Sequence, residues 1–115
     1  MVGSSPRRKG SIVKHGYALN IGVTDVDDLE FGTHDLGGVH AVTLYPNGYG
    51  ASIVGGARGL YGDGRNTFEV AVLRYENFDD PHSWSLTYAT PITNDVLARV
   101  PRANVTQVLH EIAAL

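Results

Sequence analysis

Seven of the chain's 14 glycines fall in one stretch, "LYPNGYGASIVGGARGLYGDGRNTFEVAVL", residues 44–73. A run this rich in glycine either cradles a phosphate or turns the chain sharply and often. A phosphate loop needs glycines at set spacing, a strand before them and a helix directly after, whose N-terminus supplies N–H groups and a positive dipole end. Neither G-x-x-x-x-G-K-[ST] nor G-x-G-x-x-G is present, and "GGARGLYGDG" runs into "NTFEVAVL", which reads as a strand. The run is therefore expected to turn the chain, with residues 55–65 forming a surface connection between two antiparallel strands. Arg58, Tyr61 and Arg65 make this loop a candidate anion or partner site.

The flanking patterns set the architecture. "VHAVTLY" (39–45) and "YGASIV" (49–54) are β-branched and apolar, and the Asn-Gly between them is a strong hairpin signal. A two-residue turn at Asn47-Gly48 would pair Leu44 with Ala51 and Val42 with Ile53, but Pro46 would then lack the N–H its closing pair needs. A three-residue loop puts Pro46 at the second turn position and Gly48 in the left-handed region, and is favoured. "NTFEVAVLRY" (66–75) places Phe68, Val70 and Val72 on one face and Glu69, Ala71 and Leu73 on the other. "WSLTYAT" (84–90) alternates as a half-buried strand, and a short helix is expected at Asn94–Arg99. In "ANVTQVLHEIAAL", Val105, Val108, Leu109, Ile112 and Ala113 form one helical stripe, with Pro101 suited to its first turn.

The fold class is thus α+β: an antiparallel β-meander with a C-terminal α-helix packed on one face. Val108, Leu109 and Ile112 are expected to pack on Phe68, Val70, Val72, Trp84 or Leu86. Residues 1–16, with four of the nine basic side chains, read as a flexible basic tail, and residues 17–115 as a single domain. Within it, 17–23 suggests a short strand and the acidic 24–38 a loop with one helical turn. Once the helix covers one sheet face, Ala71, Leu73 and Tyr75 on the other lack a lid. Leu73 and Tyr75 are then candidate contacts of a homodimer, unless residues 17–38 fold over them.

Composition narrows the function classes. The chain has 115 residues, a net charge of −3 and no cysteine, which excludes disulfides, thiolate metal sites and a cysteine nucleophile. No apolar run reaches the roughly 18 residues of a membrane span, and the basic start lacks a secretory apolar stretch, so a cytoplasmic protein is expected. Asp25, Asp27, Asp28, Glu30, His34 and Asp35 could offer hard-cation ligands, but they do not follow the EF-hand order. His15, His34, His40, His82 and His110 show neither H-x-H nor H-E-x-x-H spacing, so no metal or cofactor is expected. Ser52 lacks the G-x-S-x-G elbow of a hydrolase. "NVT" at 104–106 falls inside the predicted helix. Nucleic acid is disfavoured, because "FEVAVLRY" lacks the aromatic pattern of an RNA-binding sheet.

Residues about 39–115 resemble small uncharacterised proteins encoded by tailed phages of actinobacteria. The resemblance rests on "YPNGYGASIVGG", "YGDGRNTFEVAVL", "LTYATPITNDV" and "VTQVLHEIAAL". It implies a phage accessory protein acting in the host cytoplasm, and it brings no catalytic residues. One departure stands at Pro101-Arg102-Ala103-Asn104, where those proteins often begin the last helix with acidic residues. The leading expectation is a non-enzymatic interaction module whose partner is itself or a host protein. A ligand-binding module using loop 55–65 for an anion or nucleotide, and a metal-dependent enzyme using the acidic segment, stand behind it.

Overall fold

The computed structural model describes residues 16–34, 37–56, 62–77 and 79–115. Seven strands form one sheet: β1 (Ala18–Ile21), β2 (Gly32–Thr33), β3 (Gly38–Leu44), β4 (Tyr49–Gly56), β5 (Thr67–Arg74), β6 (Ser85–Leu86) and β7 (Leu97–Pro101). A 3-10 turn spans Val26–Asp28, and the helix α1 spans Arg102–Ala113. The centre is the expected antiparallel meander β3-β4-β5. Each outer edge of that trio carries two short strands end to end. β1 and β2 line β3; β6 and β7 line β5. One pairing departs from a pure meander, since β1 runs parallel to β3. The crossover between them contains the 3-10 turn, which packs beside the start of α1.

The β3–β4 hairpin takes the three-residue loop. Leu44 faces Gly50 and Val42 faces Ser52. The Tyr45 N–H donates to the Tyr49 carbonyl (2.9 Å), and Gly48 has φ +89°. Proline's fixed φ suits the second turn position, and only a residue without Cβ takes the left-handed place at no steric cost.

That register sorts the side chains into two faces. The first carries Ala41 and Tyr45 of the β3 side, Ala51 and Ile53 of β4, and Phe68, Val70 and Val72 of β5, all buried with Val105, Leu109 and Ile112 of α1. Both ends of α1 are tied to distant segments. At its start the side-chain N–H groups of Arg102 donate to Asp27 Oδ1 (2.9 and 3.2 Å), and the Thr106 hydroxyl accepts from the Val26 N–H (3.0 Å). Arg102 stands at the positive end of the helix dipole, where a cation is unfavourable, and Asp27 supplies the acid that the helix's own first turn lacks. At its end the Asn47 amide donates to the carbonyls of Ile112 (2.9 Å) and Ala113 (3.2 Å). The Ile112 carbonyl also accepts from the Leu115 N–H (3.1 Å), so the hairpin turn and the chain end together cap the helix.

Two expectations fail after residue 84. "WSLTYAT" is a strand only at Ser85–Leu86, and Leu86 and Tyr88 are exposed. The expected helix at 94–99 does not form: residues 94–95 bend and β7 begins at Leu97. Threonine chemistry accounts for the first: the hydroxyls of Thr87, Thr90 and Thr93 accept from the N–H groups of Ala89, Ile92 and Asp95, two residues on. Such local bonds compete with a strand ladder. The edge of β5 beyond β6 is then taken by Leu97–Pro101, with an irregularity between Phe68 and Val70 and Arg99 at φ +53°. Among the described residues no helix is long and apolar enough to cross a membrane.

Candidate functional site

Residues 57–61 of the glycine loop lie outside the described residues; the part from Gly62 to Thr67 is a turn that holds its own anion. The Gly56 N–H donates to the Gly62 carbonyl (3.2 Å), and β5 follows at Thr67 rather than a helix. A Cβ on Gly55 would stand 2.4 Å from the Gly64 Cα, so here glycine serves close backbone approach. Asp63 Oδ1 accepts from the N–H groups of Thr67 (3.0 Å), Arg65 (2.8 Å) and Asn66 (2.6 Å). These bonds, Thr67's first, lower the Asp63 pKa to about 2. The amide nest a phosphate would need is thus filled by the chain's own carboxylate. The Arg65 side chain is exposed, and its carbonyl accepts from Arg102 (3.1 Å). Arg58 and Tyr61 lie outside the described residues.

The acidic segment is spent on structure. Asp25 accepts from the Asp27 N–H (2.9 Å) and so caps the 3-10 turn, and Asp27 holds Arg102. Asp28 and Glu30 are exposed, and Asp35 lies outside the described residues. Among the described residues no three acidic or histidine side chains are placed to hold a metal ion.

The second sheet face is where the structure differs most from expectation. Leu73 and Tyr75, expected as surface contacts, are 0% and 6% exposed within one chain. They pack with Tyr17, Val42 and Leu44, and Leu19 and Trp84 close over them. The lid comes partly from residues 17–38, through Tyr17 and Leu19, and partly from the opposite sheet edge, through Trp84. Trp84 therefore belongs to this face, not under α1, and Leu86 is beneath neither cover.

Around this lid gather six residues that no linear motif joins. Tyr17 lies 5.4 Å from His40, 5.6 Å from His82 and 5.5 Å from Trp84 between ring centroids. The His34 ring lies 5.4 Å from that of His40. The Tyr17 hydroxyl is 2.5 Å from His82 Nδ1 and accepts from Trp84 Nε1 (3.3 Å). His40 Nε2 is 2.8 Å from the Ser52 hydroxyl. A serine–histidine pair suggests a nucleophile. Here, however, Ser52 is buried in a central strand, its backbone paired to Val42 on one side and Ala71 on the other. The ladder has claimed those amides, and the contact satisfies a hydroxyl that burial would otherwise leave costly. The hairpin register could have located the pair, because it sets Val42 opposite Ser52 with His40 one diagonal away. His82 lies in a turn and Trp84 just before β6, and nothing local brought either to Tyr17.

At the hairpin end of this face one row of residues crosses five strands: Ile21, Leu44, Gly50, Leu73 and Leu86. Its middle is buried, while Ile21 is 52% and Leu86 47% exposed. A cleft of about 260 Å³ opens beside the row, lined by Pro46, Gly48, Tyr75 and Glu76. Set against protein-family models, curated proteins and solved structures, the chain has no significant match.

Proposed function

We propose that this chain is a non-enzymatic phage accessory protein of the host cytoplasm, working as a protein-interaction module. Its binding surface is the hairpin end of the second face, and its partner is a second copy of the chain or a host protein. The reading is carried by the apolar row whose outer members, Ile21 and Leu86, are half exposed while the middle is buried. Four strand steps of about 4.8 Å separate the two, so the row spans roughly 19 Å. Tyr88, two residues beyond Leu86, is also exposed, and the cleft opens on the hairpin side of the row. A two-fold pairing would cover the same row on both copies, and a net charge of −3 opposes it little.

Light scattering at micromolar concentration tests self-association. About twice the chain mass is expected, with Leu86→Glu returning a folded monomer. If the wild type is monomeric, capture of a host protein that Leu86→Glu no longer recovers carries the same surface. A monomer that captures nothing sinks the reading.

A further inference from the structure

We propose that Asn47-Gly48 is a self-modification site: a deamidating pair that the docked end of α1 holds unreactive, and whose acidic product no longer holds the helix end. Of the chain's six asparagines, Asn47 alone precedes a glycine. A glycine nitrogen has no neighbouring Cβ to hinder its attack on the side-chain carbon before it. Asn47 is exposed, so water reaches the pair. The Gly48 nitrogen, its proton passed to base, bonds to Asn47 Cγ; the Cγ–Nδ2 bond breaks, and Nδ2 leaves as ammonia. Water then opens the cyclic imide. Cleavage on the side-chain side gives aspartate, and cleavage on the main-chain side gives isoaspartate.

In the folded chain every participant is held. Nδ2, the leaving group, donates to the carbonyls of Ile112 (2.9 Å) and Ala113 (3.2 Å). Oδ1 accepts from the Tyr49 N–H (2.9 Å). The nucleophile is engaged as well: the Gly48 N–H donates to the Tyr45 carbonyl (3.3 Å), and the Gly48 carbonyl accepts from the Tyr75 N–H (3.0 Å). The carboxamide is thus pinned through both its polar atoms, whereas attack on Cγ requires it to rotate. The reaction therefore proceeds from the state in which the last turn of α1 has frayed, and its rate follows the population of that state.

The product cannot restore the lock. A carboxylate only accepts, so it has no proton for the two helix carbonyls. It also brings a negative charge to the negative end of the helix dipole. Isoaspartate adds a backbone atom between Tyr45 and Tyr49, whose N–H and carbonyl close the hairpin loop. Because the ammonia is lost, each event is one-way, and it leaves the last turn of α1 loosened on the first sheet face.

Incubation of the full chain at pH 8, followed by peptide mapping with mass spectrometry, tests the site. Aspartate and isoaspartate are expected at position 47, forming about tenfold more slowly in the folded chain than in guanidinium. Ala113→Gly frays the last turn without removing a core side chain. It should speed the reaction about fivefold while the helical circular dichroism is kept. Asn47→Asp, which stands in for the product, should exchange the last-turn amides of α1 faster than the wild type and faster than Asn47→Ala. Equal rates in the folded and unfolded chain, or no product in either, would overturn the site. So would a rate unmoved by Ala113→Gly, or amide exchange in Asn47→Asp that matches the wild type.

Discussion

One face of the sheet is covered by a helix of 12 residues that brings an apolar stripe as a single piece; the other is covered by separate side chains delivered from both sheet edges. Under α1 the contacts are aliphatic and aromatic, and the helix ends are tied by Asp27 and Asn47. Under Trp84 the inner layer is equally dry, with Leu44 and Leu73 fully buried, but the outer layer is a polar aromatic cluster. The difference teaches that a buried face need not have a secondary-structure element as its lid. A few rings with hydrogen-bonding edges exclude water as well.

The strongest way to break the comparison is Leu73→Glu. If the second face is core, a carboxylate there has no partner and costs several kcal/mol, and the domain unfolds. A folded variant with an unchanged denaturation midpoint would show that this face opens to water. Leu109→Ala tests the other face and is expected to cost about 2–5 kcal/mol in chemical denaturation. A loss well below that range would mean the helix is the looser cover.

Asn47→Ala sharpens the contrast by loosening one end of the helical lid. It removes two bonds to the helix's last carbonyls and one to the Tyr49 N–H, for an expected loss of about 1–2 kcal/mol. The loss should appear as faster amide exchange in the last turn of α1, with the Trp84 emission unmoved. The smallest effect is expected at Asp63, which is exposed. Its folded pKa is lowered from 3.8 to about 2, so its contribution is complete above about pH 4 and is lost as the pH falls towards 2. Asp63→Asn keeps an acceptor oxygen and should lower the melting temperature slightly at pH 7. The gap to wild type should close between pH 4 and 2; a gap independent of pH would assign the effect to turn geometry instead.

The central meander, the hairpin loop and the helix stripe were legible because each is written in a local period. Phe68, Val70 and Val72 alternate, Val105, Leu109 and Ile112 recur at helical spacing, and Pro46 and Gly48 admit one economical turn. At the end of the glycine run the turn into β5 was legible for the same local reason, although the carboxylate of Asp63 filling its nest was not. The segment after Trp84 misled because its alternation was real, while its threonine hydroxyls offered the backbone nearer partners.

The residues around Tyr17 are different in kind. His34, His40, Ser52 and the His82–Trp84 segment come from separate stretches of the chain, and no motif joins them to Tyr17. By itself the sequence determined which residues are apolar, where the chain turns, and which stripe the helix buries, since these follow from side-chain chemistry within a few residues. Only the tertiary structure decided that Leu73 and Tyr75 are interior and that Tyr17 meets His82. Both depend on which segments pair with the two edges of the central trio, β1 and β2 on β3 and β6 and β7 on β5, and no local pattern states that pairing.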